Sequence, residues 1–134
     1  MHPLLHELCR VAINDYKIKG TDLVIEAGTR VIIPIASIHR DPDIYDDPDN
    51  FNPERFASEE VQKRHAMSFL AFGEGPRNCI AFRLGLMQAK LGLIMLLRKF
   101  SFSPCDLSTK VINVNVESYI ASSAEGIMMN VKPL

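Results

Sequence analysis

Residues 69–85 read FLAFGEGPRNCIAFRLG, and their residue types and spacing suit metal or redox chemistry. A loop through Gly73 and Gly75 passes Pro76 and Arg77 and brings a single cysteine, Cys79, to the start of a long apolar stretch. At a helix N-terminus, free N–H groups and the positive end of the macrodipole favour thiolate over thiol. Thiolate is the form that ligates metal. The glycines allow positive φ and let something flat or bulky approach the backbone. Arg77, two residues before the cysteine, is placed to meet an anion. A thiolate and a cation in one tight loop point to a cofactor that carries both a metal and carboxylates, a description that haem meets.

Composition narrows the alternatives. The 134 residues carry a formal net charge of −1 with no strong sign asymmetry, which argues against nucleic acid as the main partner. That length suits one domain with an adequate core. Three cysteines (Cys9, Cys79 and Cys105) form an odd, widely spaced set, so they read as neither a disulfide framework nor a zinc site, and they suggest a reducing compartment. The opening MHPLLHELCR is not a signal peptide, because Pro3, His6 and Glu7 break its apolar run. The longest uncharged apolar run, residues 91–97, is too short to span a membrane.

The elements that must position the loop follow in order. Residues 1–15 read as an extended or irregular opening segment. Residues 16–25 read as a short hairpin about Gly20, Thr21 and Asp22. TRVII (residues 29–33) is β-branched except at Arg30 and predicts a mostly buried strand, which Pro34 ends before a short helix over residues 35–39. DPDIYDDPDNFNPERF (residues 41–56) has three Asp-Pro or Asn-Pro steps that disfavour regular structure. Its five aspartates invite a calcium reading, but counting from Asp41 the sixth and twelfth positions hold Asp46 and Asn52, where an EF-hand loop needs Gly and Glu. A solvated acidic turn is the better reading. ASEEVQKR (residues 57–64) predicts a polar helix capped by Ser58. Residues 80–100 predict a helix buried on most of its circumference, with Leu84, Met87, Leu91 and Ile94 along one face and Arg83 and Lys90 on a basic stripe. Residues 101–104, 111–117 and 127–132 read as strands, with a turn over residues 118–126.

Phe72, Gly75, Arg77, Cys79 and Ala81 complete the pattern F-x-x-G-x-R-x-C-x-[G/A]. This resembles the haem-binding signature of the cytochrome P450 superfamily, the haem-thiolate monooxygenases. The resemblance makes Cys79 the catalytic axial ligand to the iron of haem b (iron protoporphyrin IX). A thiolate there favours O–O cleavage. It makes Phe72 a shield beside the sulfur, Gly73 and Gly75 part of the haem-binding loop, and Arg77 a propionate ligand. Ala81 stands where glycine is commonest and Ala71 where proline is common; an alanine at 81 still lets porphyrin and helix approach closely. Asn52-Pro53-Glu54-Arg55-Phe56 is similar to the family's PERF segment, whose arginine locks onto an upstream ExxR helix, so Arg55 is expected to be structural. Met1-His2-Pro3 resembles the residues that follow ExxR. Arg10 matches a second propionate-binding position; it is either that or a solvated cation. His39, in HRDP, is expected to be structural.

The implied fold class is α+β, the C-terminal haem-binding portion of the mainly α cytochrome P450 fold. It comprises a small β unit, a meander, the cysteine loop, a long buried helix and a terminal β-hairpin, with residues 1–134 one part of a single domain. Leu4 and Leu5 after ExxR, and Tyr119 and Ile120 in the late turn, are substrate-lining candidates and suit a lipophilic molecule. GEGPRNCI and FSFSPC look most like the microsomal clan of insect detoxification and vertebrate drug- and steroid-oxidising enzymes. That implies NADPH–cytochrome P450 reductase as partner, with Arg83 and Lys90 facing its acidic surface. It also implies the cytoplasmic face of the endoplasmic reticulum membrane, reached through an N-terminal anchor outside these residues. The match covers about the last quarter of such an enzyme, so the chain reads as a fragment expected to bind haem poorly and to hydroxylate nothing alone. A haem-thiolate isomerase or dehydratase on the same fold, and a truncated non-catalytic isoform, are the competing readings.

Overall fold

The structure is a computed structural model that describes residues 3–108, 112–115, 117, 118 and 120–134. It forms two compact units, Met1–Ala71 and Phe72–Leu134.

In the first unit, β1 (Leu8–Val11) and β4 (Arg30–Ile33) pair antiparallel, from Leu8 opposite Ile33 to Val11 opposite Arg30. The chain between them folds back on itself as β2 (Tyr16–Lys17) and β3 (Val24–Ile25). Gly20 turns this hairpin at φ +83°, and the Ile18 N–H donates to Leu23 O at 2.9 Å. The expected hairpin is therefore present, and the opening segment is extended over β1. β4 departs from the expected buried strand. Its residues alternate between exposed and half-buried, with Ile32 53% exposed. Among the described residues only β1 pairs with β4, and a two-stranded antiparallel ladder can keep one face in solvent.

Pro34 ends β4 and precedes α1 (Ile35–Ile38), whose Ile35 is buried. The Asp-Pro-rich stretch then folds into an irregular meander. Asp41 Oδ1 accepts the Asp43 N–H at 3.0 Å, and Asp47 takes a left-handed φ of +47°. The meander closes in a 3-10 turn, Pro53–Phe56, where Asn52 Oδ1 accepts the Glu54 N–H at 3.0 Å. α2 (Ser58–Lys63) follows. The expected cap at Ser58 is corrected: Ala57 holds the cap position without a side-chain bond, and Ser58 is already helical. Glu59 and Glu60 in the first turn and Lys63 in the last complement the helix dipole instead.

The core of this unit is small and half polar: Ile35, Tyr45 and Leu70 with His39, Arg55 and Ser68. Tyr45 donates its hydroxyl to Ser68 O at 2.9 Å. The Arg64 guanidinium lies over the Tyr45 ring at 4.7 Å and near Phe56 at 5.7 Å. Tyr45→Phe keeps the ring but leaves a buried carbonyl without its donor. It should lower stability by about 1 kcal/mol, read as a shifted urea midpoint with an unchanged slope.

In the second unit, α3 (Phe82–Leu97) is the long helix, sixteen residues without proline or aspartate. Its last turn closes through the Arg98 N–H to Ile94 O at 3.1 Å. The expected burial of this helix is corrected. None of its residues is buried, and Leu84, Met87, Leu91 and Ile94 are each more than half exposed. Apolar content does not bury a helix by itself; a facing element must cover it, and among the described residues none covers this circumference. β5 (Phe100–Pro104) and β6 (Met129–Pro133) pair antiparallel, and the Leu134 N–H returns to Lys99 O at 2.9 Å. The expected hairpin of residues 111–117 with 127–132 is corrected: the last strand pairs with β5, across the residues expected to turn it. Of the strand expected at residues 111–117, Val111 and Val116 lie outside the described residues, and Val114 makes a single bridge to Ser123. Among the described residues no helix is long and apolar enough to cross a membrane.

Candidate functional site

The loop that carries Cys79 is shaped by backbone bonds and two left-handed glycines. The Cys79 N–H donates to Phe72 O at 2.8 Å, the Asn78 N–H to Gly75 O at 3.1 Å, and the Phe82 N–H to Cys79 O at 3.1 Å. Gly73 sits at φ +70° and Gly75 at φ +80°. Phe72 meets Phe82 edge-to-face, with centroids 4.9 Å apart. A methyl group built on Gly85 would lie 3.7 Å from the Phe72 ring, so that ring packs against the first turn of α3. Cys79 is exposed and stands three residues ahead of α3 rather than at its first residue.

These features fit a flat, iron-bearing group. The thiol is open to solvent, and a Cβ added at Gly75 would meet nothing within 4 Å, so the backbone there is open to approach. Gly75→Ala should therefore cost roughly 1–2 kcal/mol through its positive φ alone, with no crowding contribution. Thermal unfolding checks the size, and the absorption of bound haem reports whether the loop keeps its shape.

Arg55 does its work within the first unit. It is 7% exposed, and its guanidinium donates to four backbone carbonyls: Nε to Asn52 O at 3.0 Å, Nη1 to Asp46 O at 2.9 Å, and Nη2 to Asp47 O at 3.0 Å and Asn50 O at 2.9 Å. One planar cation thus gathers the carbonyls of the meander. Arg64 Nη2 donates in turn to Arg55 O at 2.7 Å. His39 is 1% exposed, its Nε2 accepts the Leu70 N–H at 2.9 Å, and its ring stacks on Phe69 at 5.0 Å. Burial lowers its pKa below the ordinary 6.5.

With this geometry in place, relatives are informative. The family model described as Cytochrome P450 matches residues 1–131. The chain belongs to the cytochrome P450 family. It is 44% identical over 131 residues to the probable cytochrome P450 6a14 of Drosophila melanogaster, covering 98% of this chain and 26% of that protein. It is 44% identical over 133 residues to cytochrome P450 6B2 of Helicoverpa armigera, covering 99% and 26%. Against cytochrome P450 6k1 of Blattella germanica the identity is 40% over 126 residues, covering 94% and 24%. The chain therefore spans about a quarter of the length of these insect cytochromes P450.

Within this cytochrome P450 segment, Phe72, Gly73, Gly75, Arg77, Cys79 and Ala81 share one loop, with Arg77 exposed. Arg10 is half-buried on β1, where its Nη1 donates to Cys9 O at 2.9 Å. Leu4 is exposed and Leu5 half-buried at the start of the first unit, and Ile120 is exposed in the second; Tyr119 lies outside the described residues. Sequence reading missed Tyr45 and Arg64. Tyr45 is one of three aromatic residues in the Asp-rich stretch, and nothing local separates it from Phe51, which is exposed. Cys105 is not part of the loop; its N–H donates to Ser108 Oγ at 2.8 Å, and the Ser108 hydroxyl lowers its thiol pKa.

Proposed function

We propose that this chain supplies the cysteine-ligand side of a haem b site in a monooxygenase. The reaction is insertion of one atom of O₂ into a lipophilic substrate, with electrons from NADPH delivered by a flavin reductase. The observation that carries the proposal is the exposed Cys79 on a loop held open by Gly73 and Gly75. When bound, haem supplies oxygen activation at iron, which an axial thiolate assists by electron donation.

The chain's own residues have separate tasks in this reading. Cys79 would offer the sulfur, and the Phe72 ring against α3 would fix the loop that presents it. Arg77 would orient the group by a charge-assisted bond to a propionate, with Arg10 as a second such contact. Ala81 would leave room for the porphyrin. Arg55 would brace the meander and lock onto the upstream ExxR helix that the family resemblance implies. Leu4, Leu5, Tyr119 and Ile120 would line the substrate's apolar surface, and Arg83 and Lys90 would meet the acidic face of the reductase.

Both units would be parts of one cytochrome P450 domain, on the cytoplasmic face of the endoplasmic reticulum. By themselves the 134 residues are expected to hold haem weakly and to turn nothing over, since the relatives use about four times this length. The test is isotopic, in a chain of the relatives' length that carries this segment. With reductase, NADPH and ¹⁸O₂, one labelled oxygen atom should appear in the product. Product that takes its oxygen from water, or that is isomerised without oxygen, would overturn the proposal.

A further inference from the structure

His39 and Tyr45 hold the same short stretch of backbone from two sides. The Leu70 N–H donates to His39 Nε2 at 2.9 Å, and Tyr45 donates to Ser68 O at 2.9 Å. The Phe69 side chain between these anchors stacks on the imidazole at 5.0 Å and 13° and meets Phe56 edge-to-face at 5.1 Å. Tyr45 also meets the His39 ring edge-to-face at 6.3 Å. An imidazole that accepts at Nε2 carries its one proton on Nδ1. A second proton would go onto Nε2 and set N–H against N–H. From this geometry we infer that His39 is an acid-released latch on residues 68–70, the segment that leads in sequence to the cysteine loop.

The charged surroundings favour release over accommodation. Asp49 and Arg55 line the cleft that His39 shares with Phe56 and Phe69. Arg55 spends its guanidinium on carbonyls, and Asp49 pairs with Arg40 at 3.8 Å. Arg64 stands over Tyr45, and Asp41 Oδ1 is taken by the Asp43 N–H. A new imidazolium therefore finds one carboxylate in the cleft, already engaged, among fixed cations. Burial lowers the His39 pKa. The sign of the pH dependence follows. Above the ordinary 6.5 the imidazole is neutral folded or unfolded, and the latch contributes fully. As pH falls below that value, the unfolded chain takes up a proton that the folded chain resists, and the stabilisation drains away.

The test is amide hydrogen exchange by NMR on the 134-residue chain at pH 7.5 and 5.5, corrected for intrinsic exchange. Leu70 protection should fall about fivefold at the lower pH, the ratio produced by losing one ordinary net hydrogen bond. Protection of Ala12, whose N–H donates to Thr29 O in the same unit, should stay constant. His39→Gln keeps an acceptor and cannot titrate, so its Leu70 protection should not change with pH. His2, His6 and His65 remain in that variant and serve as its control. Where the variant does not fold, the wild-type imidazole titration followed by NMR should share its midpoint with the loss of Leu70 protection. A pH-independent Leu70, an equal fall at Ala12, the same acid loss in His39→Gln, or separated midpoints would each overturn the latch.

Discussion

Cys79→Ser is expected to abolish the thiolate signature of the reduced, carbon monoxide-bound haem protein completely, in a chain of the relatives' length. The substitution changes one atom. Serine has a similar volume, and the bonds that shape the loop, Cys79 N–H to Phe72 O at 2.8 Å and Phe82 N–H to Cys79 O at 3.1 Å, are backbone bonds that serine can make equally well. The glycine conformations at residues 73 and 75 are untouched. The fold should therefore be retained, with unfolding midpoints close to wild type, while the soft anionic ligand is lost. Activity that depends on thiolate electron donation should vanish with it. The corresponding changes at Cys9 and Cys105 should leave the spectrum as it was, because neither residue lies on this loop. Persistence of the signature in Cys79→Ser would remove the cysteine from its assigned role.

The second large effect is on stability. Arg55→Ala should destabilise the first unit by about 4 kcal/mol, at the upper end for a single substitution. Four carbonyls that now point at one buried guanidinium would lose their donors together. Their bonds are charge-assisted and coupled through one rigid group, so the loss is one collective event rather than four additive ones. Arg55→Lys should rescue little of it. A single ammonium cannot reproduce the planar spread of donors that reaches residues 46, 47, 50 and 52 at once. Urea unfolding followed by tyrosine fluorescence measures both variants. A lysine variant within 1 kcal/mol of wild type, roughly the worth of one net hydrogen bond, would show that charge alone holds the meander.

Local signals were the legible ones. Gly20 between two β-branched or aromatic runs marked the hairpin, Pro34 marked the end of β4, and the F-x-x-G-x-R-x-C spacing marked the loop. Each depends on φ preference or on near neighbours in the chain. Burial was less legible. Residues 29–33 look like a buried strand, yet β4 has β1 on one side only, and α3 is apolar enough for a core while lying open. Whether a face is covered depends on what packs on it, which the face itself does not encode. The Ser58 cap failed for a smaller reason: the preceding 3-10 turn brings the chain into α2 one residue early, so Ala57 takes the cap position.

Within the site, the residues of the loop were readable and their support was not. His39 and Leu70 are thirty-one residues apart, and Tyr45 and Ser68 twenty-three. Such pairings across an irregular meander have no period to betray them. Arg55 was identified through PERF as a brace. Its acceptors, though, are main-chain carbonyls, present at every position and distinguished only by the path that Asp47 and the 3-10 turn impose.

The most direct test of the central claim is X-ray absorption at the iron edge, on a haem-loaded chain of the relatives' length that carries these residues. The account predicts one sulfur in the first coordination shell of iron, present in wild type and absent in Cys79→Ser. A shell of nitrogen and oxygen alone in the wild-type protein, or a sulfur that survives the substitution, would contradict it.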